Sequence, residues 1–155
     1  MISITYENLS FEREKDAKYV ILKYGLILFK DDDDIIICYG STSENIKDKW
    51  VNILSEIAFN FQANLLDEIQ SKNLLLVFCA KDSVSVDLKK EIQSDTYCCR
   101  KVVRSNVSDI KEDIKSLILY NVKTIMTPDS KSLIDIIKEK HHVVYEMIRS
   151  ENEIK

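Results

Sequence analysis

With 155 residues the chain has room for one domain with one core, since domains usually run to about 100 to 150 residues, and a multidomain enzyme is excluded. Its composition, 45% hydrophobic and 31% charged, is globular, and two glycines with one proline, Gly25, Gly40 and Pro128, leave no glycine-rich cradle for a phosphate or a dinucleotide. A net charge of -4 argues against a protein that grips nucleic acid over its whole surface, while a local basic stripe stays compatible with it.

The first residues carry no basic region followed by a long apolar core, and no apolar run approaches the ~20 residues of a membrane span. A cytoplasmic protein is therefore expected. Residues 19–29 and 35–39 are rich in Ile, Leu, Val and aromatic side chains, and both runs are short enough for strands. Between them stand Asp31, Asp32, Asp33 and Asp34, four like charges that favour an exposed connection. The pattern predicts an N-terminal β-hairpin, with a helix over residues 11–24 as the alternative.

Ser41 and Glu44 have capping-box spacing. Ile46, Trp50, Ile53, Leu54, Ile57, Phe61 and Leu65 then recur at helical steps, which predicts a helix to about Asp67 with Trp50 on its core face. Residues 74–80 form an unbroken apolar run, as expected of a strand covered on both faces. A short helix is predicted over residues 86–92, and a second buried strand over 97–103. Asn106 and Asp109 start a further helix with Val107, Ile110, Ile114, Leu117 and Ile118 on one face, and Pro128, Asp129 and Ser130 begin a last one.

The order contains a strand-helix-strand unit, so the fold class is α/β or α+β: a mixed sheet with an N-terminal hairpin and about four packed helices. A single domain is expected over residues 1–155, with a hairpin-rich start (1–40), a helix-strand-helix-strand core (41–104) and a helical remainder (105–155).

Residues able to carry chemistry are scattered. Cys38, Cys79, Cys98 and Cys99 lack C-x-x-C spacing and read as small buried hydrophobes of a reducing compartment. Cys98 or Cys99, beside Arg100 and Lys101, is the place where a thiol could be acidified. His141 and His142 are helix neighbours pointing about 100° apart and do not complete a zinc site. The four aspartates read as a solvated hairpin tip rather than a cation site or a nuclease centre, and Asp113, Ile114 and Lys115 imitate a nuclease string only inside a predicted helix. No catalytic residue, metal or cofactor is expected.

Arg100, Lys101 and Arg104 are the densest cationic feature. On a strand, Arg100 and Arg104 share one face and Lys101 takes the other. They read either as a strand edge ion-paired to Asp95 or Glu91, or as a contact surface for a protein partner or a nucleic-acid backbone.

The apolar strand from Asn73 to Phe78, Leu88 and Ile92 on the helix, and then Asp95, Thr96, Tyr97, Cys98, Cys99, Arg100, Lys101, Val102 and Val103 together resemble the core of the small middle components of ABC-three-component systems. The small subunit of Lamassu-type antiphage systems is similar to the same group. The matching string is Asp95, Cys99, Arg100 and Lys101, whereas Ile118, Leu119, Tyr120, Asn121 and Val122 depart from the Leu-Pro-rich segment common in that group. The resemblance implies a non-catalytic accessory subunit that bridges or restrains an SMC- or Rad50-like ATPase and an effector such as a nuclease. It makes Asp95, Arg100, Lys101 and Arg104 candidate partner-binding residues. A small nucleic-acid-binding module using Arg100, Lys101 and Arg104, and a nuclease using the aspartate run, are the alternatives.

Overall fold

Among the described residues five strands pair into one sheet whose spatial order is their chain order: β1 (Ile2–Ile4), β2 (Ile27–Asp31), β3 (Asp34–Ser41), β4 (Leu74–Ala80) and β5 (Arg100–Arg104). The structure, a computed structural model, describes residues 1–117, and Met1–Lys115 form a compact unit. The first three strands are antiparallel neighbours, while β3, β4 and β5 run parallel. The mixed sheet predicted from the sequence is thus present. Parallel neighbours need long crossovers, which here carry α2 (Ser43–Ile57) with α3 (Glu68–Lys72), and then α4 (Val86–Ser94). The expected helix from Pro128, and both histidines, lie outside the described residues.

Of the two readings of residues 11–24 the helix is the one present: α1 spans Glu14–Tyr24, and only Ile27 onward joins the sheet as the first strand of the hairpin. Ala17, Val20 and Ile21, one helical turn apart, are its buried residues. Gly25 ends it at φ 61°, a left-handed conformation that glycine adopts without strain, and Leu26 N–H then donates to Ile21 O (2.9 Å) as in a Schellman stop. The aspartate run does form the hairpin tip. Asp31 pairs with Asp34, Asp32 takes a positive φ of 54°, and Asp32 and Asp33 are exposed.

The cap of α2 is Thr42, one residue later than the Ser41 expected. Its side chain accepts from Asn45 N–H, which removes Glu44 from the capping-box position. The helix continues as a π-helical turn over Ala58–Gln62 and stops there, short of Asp67, which instead caps α3 through bonds from Ile69 and Gln70 N–H. The extra residue in the turn leaves Phe61 fully buried while releasing Gln62 toward the neighbouring loops.

Register divides the sheet into two faces. Leu28, Ile35, Ile37, Tyr39, Leu74, Leu76, Phe78 and Val103 share one core with Val20 of α1, Ile46, Trp50, Ile53 and Ile57 of α2, and Leu88 and Ile92 of α4. Trp50 is 7% exposed and belongs to that core. Phe29, Ile36, Cys38, Leu75, Val77 and Cys79 occupy the opposite face and are also buried, as the unbroken apolar β4 predicts. Alpha-helix α5 (Ile110–Lys115) approaches this second face so closely that a Cβ on Gly40 would lie 2.8 Å from Ile110 Cδ1. It starts later than Asn106. That residue has φ 55°, and Asn106 and Val107 N–H donate to Asp82 O and Ala80 O, extending the chain alongside β4 before Asp109 caps the helix through Glu112 N–H.

Candidate functional site

The segment joining α4 to β5 is built around one buried cation. Beta-strand alternation turns Lys101, partner of Leu76, onto the helix-covered face, and its side chain there is 0% exposed. A bare ammonium in such a place costs several kcal/mol, about 3 to 5 when its partner is removed, so the chain supplies three acceptors for its three N–H bonds. Tyr97 O lies 2.5 Å from Nζ, Cys99 O 2.7 Å, and Asp95 Oδ1 3.1 Å. Asp95 Oδ1 also accepts from Tyr97 N–H at 2.9 Å. That bond from Tyr97, together with the Lys101 ammonium, holds the Asp95 carboxyl below its ordinary value. Residues 95–99 therefore fold inward over Lys101, and Cys98 accommodates the bend with φ 69°. This bend is why β5 begins at Arg100 and not at Tyr97, where the sequence pattern places its start.

The three cations do not form one stripe. Lys101 is interior. Arg104 makes a two-pronged contact with Asp113 of α5, Nε to Oδ2 at 2.9 Å and Nη2 to Oδ1 at 3.1 Å, which raises the guanidinium above its ordinary value. Arg100 projects from the other face at the sheet edge and is exposed, with no hydrogen-bond or ion-pair partner among the described residues. Tyr97, 49% exposed, sits on the same segment. An arginine and a tyrosine on a fixed backbone are the residue types that anchor protein interfaces. The internal partner of Asp95 is thus Lys101, and Arg100 takes no part in that ion pair.

Gln62 holds the segment from behind, and nothing in the sequence pattern pointed to it. Its Nε2 donates to Ser71 O (2.9 Å) and Cys98 O (3.2 Å), and its Oε1 accepts from Cys98 Sγ at 3.1 Å. Cys38 and Cys79 are buried, as expected, while Cys98 and Cys99 are only part-buried. The neighbouring Cys99 thiol draws the Cys98 thiol below its usual value against partial burial, with the Lys101 charge adding to this and the Asp95 charge opposing it, while the Cys98 thiol and burial push Cys99 up. Among the described residues no group of three or more His, Cys, Asp or Glu side chains is placed to hold a metal ion, the aspartate run included. No helix among them is long and apolar enough to cross a membrane.

The family model described as ABC-three component (ABC-3C) system Middle Component 1 matches residues 34–130, more than half of the chain. The chain belongs to this family. Its match begins at the first residue of β3 and takes in β4, α4, the Lys101-centred segment, β5 and α5. A Middle Component 1 protein is an accessory part of a multi-component ABC-ATPase system and works with the other components of that system. No curated protein and no solved structure matches the chain. Beta-strands β1 and β2 and helix α1 precede the matched region, so the Middle Component 1 match rests on the parallel half of the sheet and its crossovers.

Proposed function

We propose that this Middle Component 1 protein is a non-catalytic cytoplasmic subunit of an antiphage system of the Lamassu kind, joining an SMC- or Rad50-like ATPase to an effector such as a nuclease. The family match carries the reading. The surface it uses is the segment leading into β5, where Arg100, exposed and without a hydrogen-bond or ion-pair partner among the described residues, follows exposed Tyr97 in the chain, and the contact it makes there is with an acidic patch of a partner component. A guanidinium on an ordered strand loses little freedom on binding and pairs bidentately with carboxylate. Direct nucleic-acid binding by Arg100, Lys101 and Arg104 is disfavoured, because Lys101 is enclosed and Arg104 is committed to Asp113.

Co-expression of the chain with the ABC ATPase component of its system, followed by affinity capture and phage challenge, tests this. The wild-type chain is expected to retain the ATPase and to protect, and Arg100→Glu to lose both while melting within about 1 °C of wild type, as surface substitutions do. Retention and protection by Arg100→Glu would remove the proposed surface. Divalent-metal-dependent cleavage of plasmid DNA by the chain alone, lost in Asp33→Ala, would overturn the non-catalytic role. DNA affinity falling steeply with salt would replace it by the nucleic-acid reading.

A further inference from the structure

Helix α3 is amphipathic the wrong way round. Of its five residues only Gln70 is buried, while Ile69 is 58% exposed and Leu66, just ahead of the Asp67 cap, is 61% exposed. A surface helix ordinarily turns its apolar side chains to the core and its polar ones to water, yet α3 contributes no apolar side chain to the core of the sheet. Single exposed apolar residues are ordinary, but here a clamp gathers several. Gln62 Nε2 donates to Ser71 O in α3 (2.9 Å) and to Cys98 O in the segment before β5 (3.2 Å), and Ser71 Oγ donates back to Gln62 O (3.1 Å). Ile69 stands two residues before Ser71, and exposed Tyr97 one residue before Cys98. The amino ends of the parallel neighbours β4 and β5 thus present Leu66, Ile69 and Tyr97 on backbone that is already tied together.

We propose that Leu66, Ile69 and Tyr97 are the apolar centre of the surface on which the chain docks the ATPase component of its system. The inference rests on the assembly reading above and deepens it, from one guanidinium to a face with an apolar middle. Both pieces of the face, α3 and residues 95–99, lie inside the matched residues 34–130 of a family whose members work with other components. Side chains of this size, about half exposed, each leave about 100 Å² in water, and a patch of about 300 Å² reaches the size at which exposed apolar surface marks an interaction site. That is less than the roughly 800 Å² per partner of a stable interface, so these three residues supply the centre that loses its water and polar neighbours supply the rim. Exposed Asp67, Glu68 and Lys72 flank them on α3, and Arg100 follows Tyr97 on β5. The matching partner surface is therefore an apolar patch bordered by a carboxylate that Arg100 can reach. Gln62 and the Lys101 ammonium hold the two pieces in place before docking, which keeps the loss of conformational freedom small.

The test mixes the full wild-type chain with the ATPase component and compares backbone hydrogen exchange of the free and bound chain by mass spectrometry. Peptides covering residues 66–72 and 95–100 are expected to exchange at least about fivefold more slowly in the complex, and slowing confined to other peptides would overturn the proposal. Ile69→Glu should weaken binding at least about tenfold while melting within about 1 °C of wild type, and Ile69→Leu should bind as wild type does. Because the exchange measurement uses the wild type alone, a misfolded variant leaves the test intact. If Arg100→Glu releases the ATPase while Ile69→Glu binds normally, this face is refuted and the assembly reading stands. If the wild-type chain binds no ATPase, both fall. A wild-type chain that sediments as a dimer, and that Ile69→Glu converts to monomers, would assign the face to a second copy and overturn the proposal as well.

Discussion

Removing the carboxylate of Asp95 isolates the contribution of the buried ammonium. In Asp95→Ala, Lys101, whose side chain is 0% exposed in the native chain, keeps only the Tyr97 and Cys99 carbonyls, and Tyr97 N–H loses its acceptor. Breaking a buried pair from one side costs about 3 to 5 kcal/mol. The Asp95 side chain is 32% exposed, so water can enter where it stood, and the lower end, about 3 kcal/mol, applies. With a urea slope of about 2 kcal/mol/M, that moves the unfolding midpoint down by about 1.5 M. Asp95→Asn keeps an oxygen in place and loses the charge, for about 1 to 2 kcal/mol. Lys101→Met removes the need for pairing within an apolar slot and should cost less than Asp95→Ala, although both break the same contact. Acid adds a further check. The folded Asp95 carboxyl titrates below its unfolded value, so its contribution is fully present above the unfolded value of about 3.9 and is lost as pH falls through the folded one. The gap between wild type and Asp95→Ala should be the same at pH 7 and pH 5 and shrink below about pH 4. Equal midpoints for the two chains at pH 7, or a Lys101→Met variant less stable than Asp95→Ala, would refute the reasoning.

Two further substitutions probe the second face. Arg104→Ala breaks the two-pronged contact with Asp113, and because the arginine side chain is 35% exposed, the expected loss is only about 1 to 2 kcal/mol by urea unfolding. Gly40→Ala places a methyl group 2.8 Å from Ile110 Cδ1 and should cost about 1 to 3 kcal/mol; Ile110→Val, which removes that carbon, should recover most of it, and independent additive effects in the double variant would contradict the packing.

Where one signal dominated, the sequence was sufficient. The apolar run of β4 could only be a strand covered twice, and the spacing of Ile46, Trp50, Ile53 and Ile57 could only be one buried helix face. It misled where two signals overlapped. Tyr19, Val20, Ile21 and Leu22 have strand composition, but Ala17, Val20 and Ile21 have helical spacing and Gly25 supplies the stop, and tertiary packing decided for the helix. Of the site, the alternation that separates Arg100 from Lys101 was readable from a two-residue period. The inward fold of residues 95–99 was not, because it depends on main-chain carbonyls that carry no residue signature. Gln62 was hidden for a similar reason: an inserted π turn shifts helical phase, and a count at 3.6 residues per turn does not give the direction of a residue at its end.

Because strands β1 to β5 lie side by side in the order of synthesis, each one can add to the edge of the one before it, and none of these five has to be threaded between earlier ones. Among the described strands β5 is the last to be made, and its described neighbour is β4. Its arrival carries Lys101 out of water and into a layer whose other members are already assembled. Dehydration of one ammonium thus falls on the closing step of sheet growth, and until Asp95 and the two carbonyls have gathered around it, the nascent sheet keeps an open edge. The segment that carries the proposed contact surface is consequently completed only after the rest of the sheet has been checked by its own packing.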